Sequence, residues 1–289
     1  MHTVGPSRRL AAKAAFGCFL AAAVLVLLLL GIGIFQVARG QPHVSPSTAG
    51  PLQPTSGNTQ QTLADAIAQT PDGGTLQLAA GTFDLGSDRL EIAKSIHLVG
   101  SGSAITKIVG QAKTAIVKVA GDVDFSANGI SFARTGGDGS ALLLNCRRAT
   151  IASCLFLGST EVKQKWRYES LWITGHTVAT VRGCRALDGM GGIGAGGNCR
   201  ATLSHNVCKQ NVDGIIVYQQ ARVELRDNTC AANRNSGILF QNHARGAALK
   251  NRCTDNRWGI AVNDEAHPRL KGNVCKKNSV ANVSDHRRK

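Results

Sequence analysis

Four cysteines, Cys208, Cys230, Cys253 and Cys275, recur at intervals of 22, 23 and 22 residues. The surrounding phrase returns with them: Asn206-Val207-Cys208 through Gly214-Ile215, Asn228-Thr229-Cys230 through Gly237-Ile238, and Asn251-Arg252-Cys253 through Gly259-Ile260. A partial copy begins at Asn273. A unit this short cannot bury its own apolar face, so it must stack on its neighbours. From each glycine to the next asparagine the spacing is 14 residues. Carried backwards, that spacing starts earlier copies at Gly192, Ser170, Ser140 and Thr114, giving seven in all.

Three columns then stay apolar: Ala115, Ala141, Leu171, Ile193, Ile215, Ile238, Ile260; Val117, Leu143, Ile173, Ala195, Val217, Phe240, Val262; and Phe125, Ile151, Val181, Leu203, Leu225, Ala248, Leu270. Alternation at this period implies three short strands per coil, with like residues stacked at about 4.8 Å. Leucine-rich repeats share the period, but their leucine spacing is absent. Asn206, Asn228, Asn251 and Asn273 are expected to form an amide ladder at one turn, and Asn211, Asn233, Asn256 and Asn278 a second. The cysteine column continues backwards as Ala186, Phe156 and Ile130, so its thiols are expected to be free and packed inward. With 4% aromatic residues and 33 glycines, the composition suits thin stacked coils rather than one thick core.

Upstream, residues 1–13 form a basic segment with Arg8, Arg9 and Lys13, followed by a long uncharged apolar run at 14–37. That length spans a bilayer, and the flanking cations place the N-terminus in the cytoplasm. A single-pass signal anchor is expected, with the bulk of the chain extracytoplasmic, periplasmic or on the cell surface. Secretion after signal cleavage is the alternative, and Ser7 to Lys13 also resembles a twin-arginine export signal. Residues 38–58, rich in Pro, Ser, Thr and Gly, read as a tether. A short helix over 59–70 is expected to cap a repeat domain spanning 59–285, and residues 286–289 form a basic tail.

The capping helix, the run Thr75-Leu76-Gln77-Leu78-Ala79-Ala80-Gly81-Thr82-Phe83, the run Lys94-Ser95-Ile96-His97-Leu98-Val99-Gly100 and the later copies together resemble the pectate-lyase-like β-helix superfamily. The resemblance implies an all-β, single-stranded right-handed parallel β-helix preceded by one transmembrane helix. Many activities share that scaffold.

Residues of several kinds are candidates for function. Asn211-Val212-Asp213-Gly214 resembles the N-T-D-G motif of polygalacturonases, and Arg269-Leu270-Lys271 their R-I-K, which makes Asp213 a candidate catalytic carboxylate. The other motifs of that family are missing, and glycoside hydrolysis needs two placed carboxylates. The strand after the glycine column should present Ile116, Leu142, Trp172, Gly194, Ile216, Leu239 and Ala261 outward, then Lys118, Leu144, Thr174, Gly196, Tyr218, Gln241 and Asn263, with no carboxylate in either row. Extra residues enter at 134–138 and 163–169. The second insertion brings Lys163, Lys165, Trp166, Arg167 and Tyr168, and these with Trp172 and Tyr218 form the expected carbohydrate-binding set. Aromatic faces stack on sugars, and the cations pair with acidic groups. Arg148, Arg200, Arg222, Arg245 and His267 form a basic column interrupted by Val178.

Net charge of +15 points to an anionic partner. The expected partner is an acidic polysaccharide or another envelope glycan, bound without catalysis; no nucleic acid, metal or cofactor is expected. The alternative is a polysaccharide-modifying lyase, hydrolase or epimerase, and calcium enters only if the protein is a lyase.

Overall fold

The computed structural model describes residues 51–53, 59–158 and 168–287. The segment at 14–37 lies outside them, and among the described residues no helix is long and apolar enough to cross a membrane. The domain is an all-β parallel β-helix of about nine turns. Two of these precede the copies counted from Thr114, because the strands between Gly74 and Gly110 already stack as coils.

Each regular coil has a first strand (such as Asp213–Val217), a second (Arg222–Arg226) and a third (Thr229–Ala231). First and second strands belong to one 16-stranded sheet, joined where Thr114–Asn128 and Gly139–Ala152 run unbroken through the corner. Third strands form a 9-stranded sheet, and all pairings are parallel. The inner columns meet in one continuous core of fully buried Ile, Leu, Val, Phe and Cys side chains. The helix α1 (Thr59–Gln69) closes the N-terminal end with Leu63 and Ile67. Lys94 Nζ donates to the carbonyls of Ala68 and Thr70 at the helix C-terminus, neutralising its unpaired acceptors.

The corners explain the asparagines. Each regular coil turns through three residues of left-handed backbone, exemplified by Gln219, Asp227 and Ala232 with φ of 57°, 52° and 53°. Such a conformation is costly for a residue with a Cβ. At two of these corners the next residue is a ladder asparagine that holds the turn. Asn206 Nδ2 donates to Asn228 Oδ1 (3.0 Å), Asn228 to Asn251 (2.9 Å) and Asn251 to Asn273 (3.0 Å). Each Oδ1 also accepts the backbone N–H of the preceding coil, as in Asn206 N to Asn228 Oδ1 at 3.0 Å. The second ladder is bonded the same way through Asn211, Asn233, Asn256 and Asn278. Both ladders, the cysteine stack and its free thiols are as expected.

The two earliest copies are displaced from the expected register. Leu171 pairs with Leu142, not Ala141, and Leu142 with Val117. Phe132, not Ile130, stacks on Phe156 in the cysteine column. The constant spacing fails because Gly139–Ala152 is one residue shorter through its corner than its neighbours (Leu142 to Ile151 against Leu171 to Val181 and Val117 to Ala127), which makes its pairing with Thr114–Asn128 slip between Gly121 and Asp124. Gly129, at φ 67°, makes the corner, so Ile130 occupies the asparagine column and Asn128 is exposed. The last strand, Ala281–Arg287, includes the first two residues of the basic tail.

Candidate functional site

The corrected register changes the outer face of the first strands. The row through Trp172 runs Lys118, Leu143, Trp172, Gly194, Ile216, Leu239 and Ala261. A carboxylate lies on this face after all. Glu169 opens the strand Glu169–Ile173 instead of closing the insertion, and it is 6% exposed. Its side chain folds across the glycines of the next coil. A Cβ on Gly194 would stand 2.2 Å from Glu169 Cγ, and one on Gly196 would stand 2.6 Å from the Tyr218 ring. The space over Gly194 and Gly196, between Trp172 and Tyr218, is therefore filled by Glu169 and Tyr218, and the glycines are what allow them to lie there.

The Tyr218 hydroxyl lies beside both the Glu169 carboxylate and the Trp172 indole. Tyr168 meets Trp172 edge-on, with ring centroids 6.2 Å apart. Burial, reinforced by the Asp213 charge, pushes the Glu169 carboxyl up to about 7. Burial and the neighbouring Glu169 likewise push the Tyr218 hydroxyl well above its ordinary value.

Arg134 joins the cluster from the first insertion. It is 7% exposed, and its guanidinium donates to the carbonyls of Ala112 (3.0 Å), Ser140 (3.2 Å) and Gly136 (2.9 Å), tying the insertion down. Burial lowers its pKa, while Asp138 and Tyr168 oppose that shift. Among the described residues, the buried side-chain nitrogen and oxygen atoms without a hydrogen-bond partner are Arg134 Nε, Ser140 Oγ and Trp172 Nε1. All three belong to this one neighbourhood. Unpaired buried polar atoms are rare and costly, so their concentration makes this neighbourhood the candidate site.

The other candidates are placed as follows. Tyr168, Trp172 and Tyr218 come together, while Lys163, Lys165, Trp166 and Arg167 lie outside the described residues. Asp213 is fully buried, and its Oδ1 accepts from Asn235 Nδ2 (2.7 Å) and Ser236 N (2.9 Å), which holds the next coil's turn. Arg269 and Lys271 lie on a second strand, so the two polygalacturonase-like fragments belong to different faces. Further along the first-strand face, Trp258 packs on a floor of Ile216, Leu239 and Ala261, with the Arg257 guanidinium 4.3 Å above its ring. The repeat alignment gave no reason to select Trp258, because its row holds Ser236, Asp213 and Gly191 in other coils. The basic column is in register as expected: Arg148, Val178, Arg200, Arg222, Arg245 and His267 pair in sequence.

A family model for the right handed beta helix region matches residues 128–287, more than half of the chain. The chain belongs to that family. No curated protein matches it. Among solved structures, it is similar to the Dettilon tailspike protein, with a TM-score of 0.56 and 16% identity over 71% of this chain; it spans only 42% of the tailspike. It is also similar to the A-module of the Azotobacter vinelandii mannuronan C-5 epimerase AlgE4, with a TM-score of 0.54 and 15% identity, covering 78% of this chain and 75% of that one. At such identities the likeness is one of fold, and the expected right-handed β-helix is met at that level.

Proposed function

We propose that this β-helix protein binds an acidic polysaccharide at the Tyr168–Trp172–Tyr218 cluster, displayed outside a membrane that residues 14–37 anchor it to. One observation carries the reading: half-buried aromatic rings share a neighbourhood with the unpaired donors Arg134 Nε and Trp172 Nε1. Rings take the apolar face of a sugar, and buried cationic or indole donors suit an anionic or hydroxyl acceptor. The test uses the full chain in nonionic detergent with polygalacturonate, alginate and a neutral glucan. Trp172→Ala should weaken binding to the two acidic polymers, and wild-type protein that prefers the neutral glucan would refute the reading. Carbonate extraction of membranes from expressing cells tests the anchor: a chain released into the supernatant is not anchored by residues 14–37.

A second reading, a polysaccharide-modifying enzyme, is favoured by Glu169. A carboxyl pushed up to about 7 by burial, beside a tyrosine hydroxyl, is suited to moving a proton at neutral pH. Uronate polymers incubated with the protein, followed for unsaturated ends and for new reducing ends, decide it. Turnover that Glu169→Gln removes would establish catalysis.

A further inference from the structure

The outer surface of the second strands carries a column of uncompensated charge. Arg200, Arg222 and Arg245 stand in adjacent strands in direct register, all exposed. Their spacing is the strand spacing, about 4.8 Å. None of the three has an ion-pair partner among the described residues. Other arginines here do: Arg226 pairs with Glu224, Arg89 with Glu91, Arg147 with Asp122 and Asp124, and Arg287 with Asp285. Like charges directly opposite on adjacent strands repel, so the column is unfavourable in the protein alone. At its N-terminal end Arg148 has Asp124 alongside, and Glu224 is the acidic side chain within the face.

The shape agrees with the charge. A cavity of about 410 Å³ lies over this face, bordered by Thr180, Arg200, Thr202, Arg222 and Glu224, with a floor of Ala201, Gly246 and Ala247. Another of about 340 Å³ adjoins it at the corner and shares Arg200 and Arg222. A third, of about 350 Å³, lies further along the same strands between Arg226, Lys250, Arg269 and Lys271. The small floor residues let a chain approach the sheet closely, and the threonines offer hydroxyl partners beside the cations.

We propose that this face is a second binding surface, separate from the aromatic cluster, for a linear acidic polysaccharide lying across the strands along the solenoid axis. One charge per coil suits a polymer with one charge per sugar. The outward positions of these strands carry Arg, Lys, Thr, Ser, Ala, Val, Leu and one Glu, with His267 as the one ring among the described residues. Single-stranded nucleic acid needs stacking platforms, and a membrane interface favours Trp or Phe beside its cations. This face supplies neither. The proposal stands whether or not the aromatic cluster binds sugar.

The experiment compares the full chain with an Arg200→Ser/Arg222→Ser/Arg245→Ser variant by titration calorimetry. The probes are polygalacturonate, methyl-esterified polygalacturonate, a deoxythymidine oligonucleotide, and phosphatidylcholine vesicles containing phosphatidylglycerol. Wild type should bind polygalacturonate, weaken as salt rises, and bind the esterified polymer weakly. The triple variant should lose roughly tenfold or more at low salt. If it fails to fold, the single variant Arg222→Glu replaces it, with the same loss expected. Unchanged polygalacturonate affinity in the variant overturns the proposal, as does equal binding of the esterified polymer. Tighter binding of the oligonucleotide or the vesicles also overturns it. Trp172→Ala, run alongside, separates the two surfaces: loss in that variant with none in the arginine variant leaves the aromatic site standing and removes this one.

Discussion

The coils from Asn206 to Asn278 and those from Thr114 to Ile173 share one three-strand plan and treat their polar groups in opposite ways. In the later coils the buried ladder asparagines donate to a backbone carbonyl and bond an asparagine of the adjacent coil, so nothing is left over. In the earlier coils the asparagine column holds Ile130 and Cys154, the insertions enter, and among the described residues three buried polar atoms have no partner. Along the first-strand face, full pairing and irregularity are thus separated along the solenoid: where the repeat is most faithful the inner polar groups bond one another, and where it is broken some are left without a partner.

The largest expected effect tests the regular side. Asn228→Ala removes a side chain that bonds Asn206, Asn251 and the Leu203 carbonyl inside the core. It should cost about 3 kcal/mol, since several buried groups lose partners together. Asn128→Ala, exposed and outside the ladder, should change stability by less than about 0.5 kcal/mol. Urea unfolding of the two variants measures both. Similar losses would erase the distinction between ladder and surface asparagines.

The next effect tests the irregular side. Burial raises Glu169 to about 7 in the fold from its ordinary value of 4.5. Between those values the folded chain keeps a proton that the unfolded chain releases, so stability is fullest below about pH 4.5 and falls as pH rises towards 7. The drop attributable to this one group is about 3 kcal/mol across that window. Glu169→Gln should remove it, making the variant relatively more stable at pH 8 than at pH 4. A wild-type stability that stays flat across the window in which the variant is also flat would mean that Glu169 is hydrated in solution.

Cys230→Ser gives a smaller change. The thiol is fully buried in the stack between Cys208 and Cys253. A hydroxyl in its place should cost about 1–2 kcal/mol. Cys275→Ser, in the half-exposed terminal coil, should cost less. Added reductant should leave the melting curve unchanged, because the thiols are free; a fall would reveal a disulfide.

The repeat made the later coils legible because one spacing governed every column: ladders, thiol stack and basic column all lie where the period puts them. The earlier coils were readable only coarsely. The one-residue shortening of Gly139–Ala152 changes the spacing without leaving a mark in the apolar pattern, since Ala115, Val117, Ala141 and Leu143 are apolar whichever way they face. Glu169 was hidden for a related reason. It stands at the junction of insertion and strand, where a length argument cannot say which it joins. The available signal was the glycine run Gly191 to Gly197 in the next coil, whose missing side chains leave room for Glu169 and Tyr218.

The smallest effect sets one arginine from each region against the other. Arg147, beside the irregular corner, donates from Nε to Asp124 Oδ1 at 2.8 Å and has Asp122 at 3.6 Å. Arg222, in the regular coils, stands between Arg200 and Arg245 with no acid paired to it among the described residues. Removing charge should therefore act with opposite sign. At low salt Arg147→Ser should lower the melting temperature slightly, whereas Arg222→Ser should raise it by relieving repulsion between neighbouring strands. Both shifts should shrink towards zero in about 1 M salt, where the screening length falls to about 3 Å. Adding polygalacturonate sharpens the contrast: the polymer should raise the melting temperature of wild type and of Arg147→Ser more than that of Arg222→Ser, because a bound polyanion supplies the countercharge that the column lacks. If Arg222→Ser melts below wild type at low salt, the column is already neutralised within the protein, and the case for an anionic polymer along this face falls with it.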